Sequence, residues 1–161
     1  MNAIELLNEQ HDEIDVLFAK AVTATSEQGK EHLFIKLADA LVIHTTLEEK
    51  IFYPAVRLKR TAEILYEALE EHLGIKRILN DMLDLDPTDE TFDAKLDVLR
   101  EQVEHHVGEE RRDLFPKVRK LLTADHLEKL GTEMALMEQM LEGTAPRNRV
   151  RTETAEAAGL F

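Results

Sequence analysis

The chain has 161 residues, 43% hydrophobic and 33% charged, a balance that suits one folded domain and excludes a disordered chain. A formal net charge of −13 repels phosphate backbones and anionic lipid, so nucleic-acid and membrane-surface roles are disfavoured. There is no Cys, which excludes disulfides, thiolate ligands and a Cys nucleophile.

Scarce Gly and Pro beside many Glu, Leu, Lys and Ala favour long helices. The first residues do not form a signal peptide, and no apolar run approaches transmembrane length, so a cytoplasmic location is the default expectation. The first helical segment is predicted over about Ala3 to Ala24, with the stripe Ile4, Leu7, His11, Ile14, Phe18 and Ala21. Asn2 followed by Glu5 reads as its capping box. After a break at Thr25–Lys30, the second runs from about Glu31 to Leu58 with Phe34, Leu37, Leu41, His44, Glu48, Ile51, Ala55 and Leu58 on one face. Arg60-Thr61 is a turn, and Thr61 is a candidate N-cap. The third segment spans Ala62 to Leu83, with Leu65, Ala68, His72, Ile75, Leu79 and Met82 in its stripe. Asp84–Asp89 has loop composition, and the fourth segment runs from about Thr91 to Leu122 through Leu96, Leu99, Val103, His106, Glu110, Leu114 and Val118. A fifth amphipathic segment, Ala124 to Glu142, has Thr123 as its cap. Its apolar face has no place inside a four-helix core, so it packs outside or makes a homodimer contact.

The fold expected is all-α: an up-down-up-down antiparallel four-helix bundle over residues 1–122, with an additional C-terminal helix at 123–143 and a flexible tail at 144–161. Each inward row is interrupted by ionisable groups: His11, then His44 and Glu48, then His72, then His106 and Glu110. One unsatisfied buried polar group costs on the order of 2–7 kcal/mol, so six of them need a common partner. The chain also repeats. With His44 aligned on His106, Glu48 falls on Glu110, Tyr53 on Phe115 and Pro54 on Pro116. The midpoint of His11 and His44 lies between Glu27 and Gln28, that of His72 and His106 is Asp89, and the His44–Glu48 and His72 pair is centred near Lys59. All three points fall in turns that composition places independently, so the six groups share one height.

His-x-x-x-Glu sets an imidazole and a carboxylate on one helix face, one turn apart. Two such pairs with His11 and His72 provide four imidazoles and two carboxylates. Each of two metals then receives two imidazoles, while Glu48 and Glu110 bridge. That N/O set suits iron or manganese, with Zn also open, whereas Ca and Mg prefer oxygen alone.

These residues and spacings resemble the hemerythrin-like, or HHE cation-binding, family over roughly Leu6 to Leu122. The resemblance rests on His11-x-x-Ile14, His44-x-x-x-Glu48-Glu49 ending in Tyr53-Pro54, His72-x-x-Ile75, and His106-x-x-Glu109-Glu110 ending in Phe115-Pro116. It implies two iron ions bridged by carboxylates and an oxo or hydroxo group. It also implies a small partner, O₂, peroxide or nitric oxide, that is bound, sensed or turned over in a redox or oxidative-stress role. Oxygen-carrying members have a second His one turn along the third helix, where this chain has Lys76. Their last carboxylate is an Asp five residues past the final His, where this chain has Arg111. The difference leans away from O₂ carriage and toward redox turnover, such as peroxide consumption of a catalase-like kind, or sensing or iron handling.

A single core His is more often a hydrogen-bonded structural residue than a ligand; four at one level with two carboxylates are not. Glu49, Glu109 and His105 are expected around the ligands rather than among them, with a carboxylate orienting a ligand imidazole. Tyr53 and Phe115 are expected to pack, and Pro54 and Pro116 to kink or end their helices. His32 and His126 fall on no stripe. Ferritin-like Glu-x-x-His pairs are absent from the sequence. Iron storage or iron sensing of another kind, or a structural interaction protein without redox activity, are the alternatives.

Overall fold

The computed structural model describes residues 1–160. The elements are α1 (Ala3–Thr23), α2 (Glu27–Leu47), α3 (Tyr53–Val56), α4 (Ala62–Leu83), α5 (Phe92–Glu109), α6 (Phe115–Leu121) and α7 (Ala124–Leu141). Among the described residues there is no strand, and no helix is long and apolar enough to cross a membrane. π-helical turns at Glu48–Phe52 and Glu110–Leu114 join α2 to α3 and α5 to α6.

The caps follow local chemistry. Asn2 accepts from the Glu5 N–H at 3.0 Å while the Glu5 carboxylate accepts from the Asn2 N–H at 2.9 Å, the reciprocal capping box. Thr123 accepts from the His126 N–H at 3.2 Å and caps α7. The first break is shorter than composition suggests, because Ser26 caps α2 through the Gly29 N–H and starts the helix at Glu27. Thr61 does not cap α4 with its side chain. Its buried hydroxyl donates to the Val56 carbonyl at 2.7 Å and accepts from the Leu58 N–H at 2.8 Å, which locks the α3–α4 turn.

α1 packs on α2, α2 on α4, α4 on α5 and α5 on α1, so four long helices form a closed ring of neighbours. Inside it lie two apolar clusters. One contains Leu7, Leu47, Phe52, Tyr53, Leu69 and Phe115. The other contains Ile14, Phe18, Leu37, Leu41, Ile75, Leu79 and Leu99. His11, His44, His72 and His106 lie between these sets along their helices, so both ends of the polar layer are sealed by hydrocarbon.

α7 packs along α1 and also meets α2 and the first π turn. Leu127, Leu130 and Met134 bury its apolar stripe in the first cluster. Gly131 is what lets it approach: a Cβ there would run into the backbone of Met1, Asn2 and Ala3. Gly131→Ala is expected to destabilise the fold by about 1–3 kcal/mol, the usual range for overpacking, because backbone cannot swing aside. A thermal melt beside Gly108→Ala, which meets nothing within 4 Å, checks it.

The segment expected to be a flexible tail lies along the bundle instead. Gly143 and Ala145 take positive φ (73° and 54°) and reverse the chain into a 3₁₀ turn, Pro146–Thr152. Val150 is fully buried in the second cluster and Leu160 reaches the first. Arg147 pairs with Asp39 at 3.0 Å and Arg77 donates to the Thr154 carbonyl at 2.9 Å. Two isolated apolar anchors in a polar stretch give no periodic signal, so only the packing reveals them. Phe161, the last residue of that segment, lies outside the described residues.

Candidate metal centre

Both His-x-x-x-Glu pairs sit at the same junction. Glu48 and Glu110 each open a π turn, in which the Tyr53 N–H bonds to the Glu48 carbonyl and the Phe115 N–H to the Glu110 carbonyl. Pro54 and Pro116 explain the widening. Neither has an N–H for the carbonyl four residues back, and each ring would crowd it; a π turn relieves both defects. The helical path therefore runs on through both prolines, ending at Val56 two residues after Pro54 and at Leu121 after Pro116. The widened turn also moves Tyr53 to the inner face. Residues five apart on an α-helix are about 140° apart, yet the Tyr53 hydroxyl lies 3.0 Å from Glu48 Oε2 and 2.8 Å from Glu110 Oε2, its one proton shared between them. It also stands 3.4 Å from Nε2 of His72 and of His106. Tyr53 packs against Phe52, as expected, but it also presents its hydroxyl to the polar layer.

The six residues singled out by sequence converge. His11, His44, Glu48, His72, His106 and Glu110 are each 0–3% exposed. Nε2 of His11 lies 3.1 Å from Nε2 of His44, and the same distance separates Nε2 of His72 and His106. Glu48 spans the two pairs, with Oε1 3.1 Å from His44 and Oε2 2.9 Å from His72. Glu110 Oε1 lies 3.2 Å from His11 and 3.3 Å from His106. Ligand atoms of His11, His44, Glu48 and Glu110 form one group compact enough for an ion, and those of Glu48, His72 and His106 a second.

An outer ring fixes three of the four imidazoles. His44 Nδ1 is 2.8 Å from Gln10 Oε1, His72 Nδ1 is 2.8 Å from Glu49 Oε2, and His106 Nδ1 is 3.0 Å from Glu71 Oε1. Carbonyl and carboxylate oxygens only accept, so each Nδ1 donates and each ring turns its Nε2 inward. Gln10 is itself held by Glu138 on α7 at 2.8 Å, and Glu49 by Lys76 at 2.8 Å. Lys76, where oxygen carriers have a ligand, stays out of the layer and supports Glu49. Arg111 points away, to Asn8 and Asp12. His105 and Glu109 pair with each other at 3.1 Å, and His105 with the far oxygen of Glu71 at 3.2 Å, one step further out than expected. His32 and His126 are exposed. Sequence reasoning missed Gln10, Glu71 and the inward turn of Tyr53. Gln10 carries no charge, Glu71 reads as part of an acidic outer face, and the π turn shifts Tyr53 off the α-helical period.

The electrostatics are those of a site short of positive charge. Burial opposes charge on His72 and His106, yet contacts with Glu48 and Glu49 raise His72, and the charge of Glu110 raises His106 well above an ordinary imidazole. Burial dominates at His11, whose pKa is lowered. Burial would also raise Glu48, but His44, His106 and His72 hold its carboxyl well below the usual range. Burial, then the charges of Glu110 and Glu48, push the Tyr53 phenol well above its normal value, so it stays protonated.

The donor set fits a pair of cations. Among the described residues Glu48 Oε1 and Glu110 Oε1 are buried acceptors without any hydrogen bond, which is rare and costly. Facing Nε2 atoms 3.1 Å apart repel unless a proton or a metal stands between them. Imidazole with carboxylate and no thiolate matches Fe, Mn or Zn chemistry.

Comparison with known proteins agrees with this geometry. The model of the hemerythrin HHE cation binding domain matches residues 2–118. A hemerythrin HHE cation binding domain-containing protein of Mycobacterium kansasii superposes with a TM-score of 0.79 at 29% identity, covering 96% of this chain and 94% of that one. A Nostoc sp. protein named DNA nickase is 26% identical over 149 residues, which are 90% of this chain. The chain spans 42% of that relative's length. With the matched residues holding all six inward groups, the chain belongs to the hemerythrin HHE cation-binding domain family.

Proposed function

We propose that the chain is a non-haem di-iron protein that binds, senses or turns over O₂, peroxide or nitric oxide. In this reading the helices form an up-down-up-down antiparallel bundle with α7 laid outside it. His11 and His44 would hold one ion, His72 and His106 the other, and Glu48 and Glu110 would be shared between them. The observation that carries it is the pair of orphaned carboxylate oxygens facing four inward Nε2 atoms in a buried layer.

Bound iron would supply a change of oxidation state and open positions for a small ligand. The chain's own residues do the rest. Gln10, Glu49 and Glu71 fix the tautomers and orientations of three rings. Tyr53 holds a proton on its hydroxyl oxygen between both carboxylates, where it can offer a hydrogen bond. Phe52 and Phe115, both buried, keep bulk water from that side, and Phe115 stacks on His11 with centroids 5.9 Å apart. Fewer imidazoles than in oxygen carriers leave a more carboxylate-rich centre, which favours redox turnover such as peroxide consumption, or sensing, over reversible carriage. The nickase named above does not change this reading, because a net charge of −13 opposes DNA.

The test is metal analysis and Mössbauer spectroscopy of protein loaded anaerobically with Fe(II), followed by exposure to O₂, peroxide or nitric oxide. A coupled iron pair and a charge-transfer band on exposure are expected. An iron-loaded sample that responds to none of the three rejects the reading.

A further inference from the structure

The four imidazoles differ in one respect that the internal repeat does not foretell. Three have an Nδ1 acceptor and, among the described residues, His11 has none: its Nδ1 is buried without a partner there. His11 also borders a cleft of about 290 Å³ between α1 and α5, lined on its apolar side by Ile14, Phe18, Val103 and Val107, with Gly108 beside them. At Gly108 a Cβ would meet nothing within 4 Å, so the helix there leaves room rather than contact. Asp12, Asp15 and Glu104 also line it and favour a cation there; Asp12 pairs with Arg111 at 2.9 Å, and Arg100 pairs with Asp15 at 3.7 Å and with Glu104 at 3.1 Å.

We infer that the position between His11 and His44 is the exchangeable one of the two, reached by a divalent cation through the α1–α5 cleft, while the position between His72 and His106 is locked. A ring pinned at Nδ1 must break that hydrogen bond before its Nε2 can turn away. His72 and His106 are pinned by carboxylates, and Glu49 is pinned in turn by Lys76. His11 is restrained on its far side by packing alone, and the cleft gives its ring somewhere to go. Losing one such outer partner weakens metal binding roughly 10–100-fold in sites of this kind. His11 starts without one. The larger number of carboxylate oxygens near His11 and His44 acts on how tightly an ion is held at equilibrium. The unpinned ring and the cleft act on how fast the ion leaves.

The inference rests on the dinuclear reading, and the experiment separates the two. Protein loaded with Co(II) is crystallised, and anomalous scattering at the cobalt edge measures both positions before and during soaking with EDTA. The expected result is two peaks at the start, with the His11–His44 peak fading at least tenfold faster. Gly108→Leu, which fills the cleft, is expected to slow that loss at least tenfold in solution, followed by cobalt absorption, and to leave the slow phase unchanged. Two peaks that fade together, or a His72–His106 peak that fades first, overturn the inference while sparing the dinuclear reading. A rapid phase untouched by Gly108→Leu in a protein with an unaltered melt overturns the cleft as the route. A single peak or none before EDTA overturns both.

Discussion

Glu48→Ala is expected to empty the centre of both ions. Glu48 is the one carboxylate whose two oxygens approach different imidazole pairs, at 3.1 Å from His44 and 2.9 Å from His72. In the proposed dinuclear centre its removal would take a ligand from each position and a negative charge from between two cations. Loss of an outer partner alone costs roughly 10–100-fold in affinity, so loss of a shared ligand is expected to exceed about 100-fold. Glu49→Ala is the control. It leaves Glu48 in place and frees the His72 ring, so its penalty belongs in the smaller range. Metal analysis after dialysis against a weak chelator should show both ions gone in the first variant and partial loss in the second. Equal retention of metal in Glu48→Ala and wild type would remove Glu48 from the site. The fold itself should survive, because the apolar clusters above and below the layer do not depend on Glu48.

The second large effect is the pH dependence of metal-linked stability. Without metal, His72 and His106 have raised pKa values, so their protons stand in for the missing cations. The sign follows from linkage. A raised imidazole pKa gives the metal-free fold stability that is present below the unfolded value of about 6.5 and is lost as pH climbs through the folded value. The depressed Glu48 pKa acts on the acid side: its stability is present above the unfolded carboxyl value and is lost as pH falls through the folded one. Metal-free protein should therefore weaken toward alkaline pH, when the imidazoles lose their protons and two buried carboxylates face each other uncompensated. Metal must displace those protons, so its affinity rises over the same range. The gap in melting temperature between loaded and metal-free protein should widen from pH 6 to pH 8.5. At an excess of 1,000 times Kd, binding alone contributes about 4.1 kcal/mol. A gap that narrows with pH would mean that protons do not occupy the metal positions.

How far the sequence goes can be seen residue by residue. His11, His44, Glu48, His72, His106 and Glu110 were legible because each interrupts an apolar stripe, and burying such a group unpaired is too costly to be accidental. The capping box at Asn2 and Glu5 was legible because it closes within one helical turn. The π turns were not. A proline announces a missing N–H, but whether the chain kinks, stops or widens depends on what packs around it, and only the folded chain shows that it widens at Glu48 and Glu110. That choice brought the Tyr53 hydroxyl into the layer.

The sequence by itself determined the helical period, the placing of the turns and the inward row of ligand-type side chains, because these depend on neighbours within a turn or two of the chain. Tertiary structure alone decided which groups stand behind the imidazoles. Gln10 meets His44, Glu71 meets His106, and Glu138 of α7 steadies Gln10, through contacts between different helices. It also decided that Val150 and Leu160 anchor the C-terminal segment. A polar group on a helix flank looks solvated until the neighbouring helix is in place, and its hydrogen bond forms only after that packing has been set by the apolar residues around it.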